Sequence, residues 1–391
     1  MQIQTKYGPV HVLTACPLLD STETLQFLTE VHENYDGSED RLNLRDRARQ
    51  TLSFNYVNFH KAMGDMFHML YANLRKLWGI PFVQSKQFFN TVDDDFIQLD
   101  TSLCIADFNQ SYSLIDGELI EIIEIGRYVI TGYDEDDQPI LEYQDGFKLN
   151  KSIDASNTYI TPLRICIIDG DVSIAASGFY ARQDIAFRVI DEDCPEITGE
   201  IPPQYQDHDI YFKCLLLEGD SLSMTLQQHQ VVIDGDLGGF QDFANWKAPR
   251  YLKPFKSLLK NQNEYFEFKN FLFRRLGKYN AFWLPLYEKH LNVVSAGNAW
   301  IEVDNDYVIE ADRKHIAVKI NDIWSAHEIT SKTKNDDNTR LNITPALNAA
   351  WSEVQSVCYL GLYRLAADTA EFSFLGAGVS QTNIPIVELN T

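Results

Sequence analysis

Leu25-Gln26-Phe27-Leu28-Thr29-Glu30-Val31-His32-Glu33-Asn34-Tyr35-Asp36-Gly37-Ser38-Glu39-Asp40-Arg41-Leu42-Asn43-Leu44-Arg45, followed by Thr51-Leu52-Ser53-Phe54-Asn55-Tyr56, decides how this chain reads. Leu42 and Leu44, then Leu52, Phe54 and Tyr56, recur at every second residue, the period of a strand that turns one face inward. Asp36-Gly37 divides the run, and a type I′ turn needs the positive φ that glycine accepts without a Cβ clash. The stretch therefore predicts a long β-hairpin. A helix over 20–33, capped by Asp20 or Ser21 with Leu25, Leu28 and Val31 on one face, is the alternative.

Strands dominate on the far side of this stretch. Short apolar runs at 119–125, 128–131, 140–143, 163–168, 185–190 and 211–217 are separated by turn-rich pieces such as Asp116-Gly117, 132–139 and Asp169-Gly170. Others follow at 307–309, 315–320, 326–330 and 358–365, with a polar loop tip at 331–339. Two helices interrupt them. Over 58–79, Met63, Phe67, Leu70, Leu74 and Leu77 or Trp78 recur at three- and four-residue steps, with Gly79-Ile80-Pro81 as the stop. Over 265–276, Tyr265, Phe268, Leu272 and Arg275 or Leu276 share a face that Gly277 closes. The expected fold class is mainly β with a few helices, arranged as several antiparallel sandwich-like or barrel-like domains.

Charge divides the 391 residues further. The 45% hydrophobic and 12% aromatic content excludes a disordered chain, and the net charge of −23 disfavours binding to nucleic acid or anchoring to an acidic membrane. The excess is local. Residues 93–145 hold fifteen acids against the single base Arg127, and 184–236 hold twelve against Arg188 and Lys213. Residues 1–92 and 237–391 are each neutral. Composition thus suggests an N-terminal core part (1–92), an acidic β-rich insertion (93–236) and a C-terminal core part (237–391). Within the last, 247–278 carries nine bases against Glu264 and Glu267, enough to seek an acidic partner in the middle third of its own or a neighbouring subunit.

Motifs for catalysis are sparse. Gly219-Asp220-Ser221-Leu222, with Asp312 and His315 downstream, has the letters of a GDSL-type hydrolase, in which a serine needs a histidine base and a carboxylate to orient it. Here the serine lies past mid-chain among strands and turns, and no Gly-x-Asn-Asp block supplies oxyanion donors, so the match reads as chance. No P-loop, GxGxxG, HExxH or GxSxG occurs, and no catalytic residue is expected. Cys16, Cys104, Cys166, Cys194, Cys214 and Cys358 form no CxxC pair and read as reduced thiols, although Cys166, Cys194 and Cys214 could meet in space. His60 and His68 stand eight apart, not the four of a helical metal pair. Asp134–Asp137 lacks the loop glycine and closing glutamate of a calcium loop, so it reads as a solvated turn. No cofactor or metal is expected. The N-terminus lacks a secretory leader pattern and no run is apolar enough to span a membrane, so a reducing cytosol is the expected site of synthesis.

Several stretches resemble the tail-tip proteins of long-tailed bacteriophages, the distal tail or baseplate-hub family. Thr24–Val31, Asp36–Arg45 and Arg49 are similar to that family's opening "LEWLTDV…DGTEQRIALR…PR", and 271–285 (FLFRRLGKYNAFWLP) to its "LRGR…FWLP" segment. Arg313-Lys314, 360–368 (LGLYRLAAD) and 384–389 (IPIVEL) continue the likeness in order. Asp40 stands where the family usually has Gln, and the proline before Arg49 is missing. The resemblance covers about half the chain, all in the neutral flanks. It implies a virion protein assembled in the host cytoplasm, forming a threefold or sixfold ring with itself at the tail tip. Such a ring contacts the tail tube protein and other hub proteins, and DNA passes through it without specific binding. Arg41, Arg45, Arg47 and Arg49 are then candidates for inter-subunit ion pairs or strand addition, against a solvated edge strand protected by charge. Trp283, between Phe282 and Leu284, reads first as a core anchor and second as an interface residue. The rival function is a glycan-binding β-module for host attachment, because the middle third holds Tyr128, Tyr133, Tyr143, Phe147, Tyr205 and Tyr211.

Overall fold

A computed structural model describes residues 2–89, 92–93, 95–99, 104–108, 112–134, 138–153, 158–190, 201–213, 224–234, 236, 238–244, 246, 249–286, 291–304, 308, 313–335, 337–376 and 378–389. The protein is mainly β, with 60% of the described residues in strands and a large antiparallel sheet, and among those residues no closed barrel forms. Arg49–Phe59 is central to it. Its residues Gln50, Leu52, Phe54 and Tyr56 are buried while their neighbours are not, the period-two pattern of the sequence. On one side it pairs with Tyr180–Val189, from Thr51 opposite Arg188 to Phe59 opposite Tyr180. On the other it pairs with Ser21–Gln26, which continues to Thr369–Gly376, then Val379–Glu388, then Arg250–Leu259. Among the described residues two parallel pairings depart from this pattern, Gly8–Val12 with Trp78–Pro81 and His208–Ile210 with Phe282–Pro285. Ladder hydrogen bonds therefore run across both steps in charge composition.

The helix Gln262–Arg275 lies against the sheet. Asn261 caps it, accepting from the Glu264 N–H at 2.9 Å, and Leu276 ends it in the left-handed region, followed by Gly277. Its aromatic side buries Tyr265, Phe268 and Phe271 against Phe255, Phe282 and Phe372, with ring centroids 5.0–6.2 Å apart.

Beneath these rings lies a fully buried ionic cluster drawn from all three compositional regions. Lys269 Nζ is 2.6 Å from both Glu23 Oε1 and Asp107 Oδ1, and Arg164 reaches Asp107 at 3.0 Å. Gln50 and Tyr265 donate to Glu23, and Ser85 donates to Asp107. Two cations and two carboxylates cancel, and neutral donors occupy further lone pairs, the condition under which buried charge is tolerated. Burial alone would raise the Asp107 carboxyl; Lys269 and Arg164 outweigh it and hold it below its ordinary value.

Four expectations need correction. The helix considered over 20–33 is two strands, Ser21–Gln26 and Thr29–Glu33, because Ser21, Glu23, Leu25 and Phe27 are buried at period two. The first helix is His60–Asn73, shorter than predicted, and it buries Met66, Leu70 and Asn73. Gly79-Ile80-Pro81 is not its stop but part of the buried strand Trp78–Pro81, with the Trp78 indole N–H donating to Asn73 O at 3.1 Å. The polar loop tip expected at 331–339 is mostly the paired ends of Ile323–Asn335 and Asn338–Thr344. The strand predicted at 211–217 falls largely outside the described residues, as does 307–309 apart from Val308.

Candidate functional site: a hairpin and its socket

Thr29–Glu33 and Glu39–Asn43 form a separate two-stranded hairpin with Asp36-Gly37 at its turn, Gly37 at φ 85°. Asp36 Oδ1 accepts from the Ser38 N–H at 3.0 Å, and the Asn34 N–H donates to Ser38 O at 2.8 Å. One face turns to the body. Thr29 N donates to Asp368 Oδ2 and Thr29 Oγ1 to Leu276 O, each at 3.0 Å. Asp368 also accepts from the Lys278 N–H at 3.0 Å, and Arg41 donates to Tyr279 O at 2.8 Å. Glu39 receives Arg364 at 2.6 and 2.8 Å and Arg250 at 3.3 Å, while Glu33 takes Arg250 at 2.9 Å. Burial pushes the Glu39 carboxyl upward, but these arginines hold it below its ordinary value. Gly277, at φ 70°, sits so close that a Cβ there would collide with the Asp368 carboxylate and Phe27.

The other face looks outward. Leu42 and Leu44 are 55% and 50% exposed, beside exposed Leu28, whose carbonyl accepts from the Leu44 N–H at 2.9 Å. This inverts the expected division of labour. Arg41 and Arg45 bond to Tyr279 O and Gln26 O within the same chain, at 2.8 and 3.1 Å, and lock the hairpin down. Arg47 and Arg49 are half-buried beyond the hairpin and also engaged. The free surface is leucine. Trp283 is a core residue, 1% exposed, its indole N–H donating to Tyr205 O at 2.9 Å and its ring edge-on to His315 at 4.7 Å. Nothing of it remains for a surface contact.

The basic segment finds its acids within the chain. Arg274 forks onto Asp209 at 2.8 Å twice, Arg275 joins the same carboxylate, and Lys269 takes Asp107. Burial raises and these arginines lower the Asp209 carboxyl, which ends below its ordinary value, while burial brings Arg275 down to about 10.

The hydrolase letters do not assemble among the described residues. Ser221 and Asp312 lie outside them, and His315 is buried, its Nδ1 3.0 Å from Tyr205 OH. A serine–histidine pair that the sequence reading missed lies on Ile323–Asn335. Ser325 Oγ is 2.7 Å from His327 Nε2, and His327 Nδ1 is 2.7 Å from Pro345 O. Their two-residue spacing on a strand was the available signal. With His327 2% exposed, the pair is enclosed in the sheet, and it reads as a satisfied core histidine. A cleft of about 360 Å³ at Thr5, Lys6, Tyr112, Glu121 and Asn150 joins one cation and one carboxylate without a nucleophile beside a base. Cys104, Cys166 and Cys358 are buried, Cys16 is exposed, and Cys194 and Cys214 lie outside the described residues. Among the described residues no group of three His, Cys, Asp or Glu side chains is placed to hold a metal ion. His60 and His68 are exposed, and Asp134 accepts from the Gln138 N–H at 2.8 Å, while 135–137 lie outside the described residues. No known family matches the chain, and no curated protein does.

Proposed function

We propose that the chain is a structural subunit of a long-tailed phage tail tip. It assembles with itself into a ring, threefold or sixfold, between the tail tube and the host-contacting tip. One observation carries this reading: the segments that separately resemble tail-hub proteins meet at one place. Asp36–Arg45 supplies Glu39 and Arg41, 271–285 supplies Leu276, Lys278 and Tyr279, and 360–368 supplies Arg364 and Asp368. Arg313, from a fourth such segment, pairs with Glu388 of a fifth at 2.6 Å. A hairpin held so firmly, with leucines outward, suits a protein whose task is to present a fixed surface to a neighbour. On this reading the sheet layers are the sandwich-type parts of a tail-hub fold.

Leu42→Asp with Leu44→Asp tests it. Both side chains are exposed, so the fold should stand while sedimentation shows a smaller assembly; unchanged assembly overturns this role for the hairpin. A second reading, glycan attachment, draws on exposed Tyr128 and Tyr143, whose rings lie 5.2 Å apart in the acidic region. Specific binding of the chain to a glycan array would favour it.

A further inference from the structure

Glu118–Tyr133 and Pro139–Leu149 form a second, longer hairpin, and among the described residues its outer half has no neighbour in the sheet. The inner ends pair with Tyr112–Ile115 and Phe96–Gln98, whereas 127–133 and 139–144 pair only with each other among the described residues. Bulges interrupt the register at Ile122/Glu124, Ile125/Arg127 and Ile130/Gly132, which bend a ribbon and re-aim it. Gly126, at φ 68°, lies under the Tyr143 ring at one of them. The arm then carries Tyr128 opposite Tyr143 and Ile130 opposite Leu141 on one face, all four exposed. A two-stranded ribbon with apolar side chains in water is marginal alone and gains stability from a surface to lie on.

Charge selects that surface. Residues 124–145 hold seven acids against Arg127, so a second copy of the same arm would repel it. The hairpin at 29–43 is acidic too, with five acids against Arg41, and so is the exposed pair Gln230–Asp234 and Phe240–Ala244, with Asp234 and Asp242 and no base. Elsewhere Phe59, Phe179 and Tyr180 form an exposed aromatic group, with Phe59 6.0 Å from Tyr180 and Phe179 6.3 Å from the His60 ring. It adjoins the helix His60–Asn73, where Lys61 and the following Arg75 and Lys76 are exposed against the single acid Asp65. The surface is apolar and basic where the arm is apolar and acidic.

We propose that the arm of one copy lies on the Phe59/Phe179/Tyr180 surface and adjoining helix of the next copy. The contact is head-to-tail, using different patches on the two copies, and such contacts close into rings when the rotation allows. The inference rests on the ring-subunit reading and specifies one of its contacts.

The test is a cysteine pair in the full chain carrying Cys16→Ser, Cys194→Ser and Cys214→Ser, which removes the thiol exposed among the described residues and the two that lie outside them. Ile130→Cys and Phe179→Cys in one chain should give a covalent ladder on mild oxidation, ending at the ring number. Each variant alone should give none, and the two mixed should give a dimer only. Ile130→Asp with Leu141→Asp should raise the concentration needed for assembly at least about tenfold. Arm-to-arm dimers from Ile130→Cys alone overturn the proposal. So does an Asp variant that assembles like the native chain, whether or not its arm binds glycan. Assembly without the cross-link overturns this contact and leaves the ring reading standing, whereas a chain monomeric at every concentration overturns both.

Discussion

The hairpin Thr29–Asn43 and the arm of Glu118–Tyr133 with Pro139–Leu149 both turn apolar side chains outward, but only the first is held along its length. Asp368, Arg250, Arg364 and the Leu276 and Tyr279 carbonyls grip the short hairpin from the body. Among the described residues the arm has ladder bonds to the body only at its inner end, with three bulges between that end and its tip. The same local structure thus serves two mechanical ends. A gripped hairpin presents a surface already fixed, so little ordering entropy is lost on contact; an arm held at its base gains order and stability from its partner.

The largest effect expected from mutation lies beneath both. Lys269→Ala leaves Glu23 and Asp107 as buried carboxylates facing each other without their shared cation, and should cost about 3–5 kcal/mol. Chemical denaturation should show the whole fold weakened, hairpin and arm together. Glu39→Ala should separate the two regions. It removes the acceptor of Arg364 and Arg250, should cost about 2–3 kcal/mol, and should release amide protection at 29–43 while leaving 118–149 as before, read by hydrogen exchange.

Acid should act in two windows. His315 and His327 are held below their ordinary 6.5 chiefly by burial, so the unfolded chain takes up protons that the folded chain refuses, and stability should begin to fall below about pH 6.5. Asp107, Asp209 and Glu39 have folded values below their ordinary 3.8, 3.8 and 4.5. Their stabilisation is complete at neutral pH and is lost as pH falls through those lower values. Hairpin protection should therefore drop in the second window together with Glu39. The smallest effect belongs to the arm: Ile130→Asp with Leu141→Asp should change the melting stability of dilute, unassembled protein by less than about 0.5 kcal/mol. A larger loss would mean that the arm is packed on its own chain, and the contrast between the two hairpins would fail.

Much of this was legible in the residues where local chemistry sets the answer. Asp36-Gly37 placed the turn, the alternation of Leu52, Phe54 and Tyr56 placed a strand, though not its central position, and Tyr265, Phe268 and Leu272 with Gly277 placed the long helix and its end. Partnership was hidden. Nothing local to Arg41 says that its guanidinium turns to Tyr279 O, 238 residues away, so a row of arginines read as outward charge. Trp78 and Gly79-Ile80-Pro81 looked like a helix end because the strand Thr158–Ile168 that pairs with them lies far along the chain. Asp107, Glu23 and Lys269 gave no sequence signal as a cluster, since each is ordinary in its own segment and only the folded sheet brings them together.

The measurement closest to the central claim is the mass of the purified chain by sedimentation across a wide concentration range, with electron microscopy of the heaviest species. The account predicts one discrete closed ring of three or six copies. A monomer at every concentration, or an open series of ever longer oligomers, would contradict it.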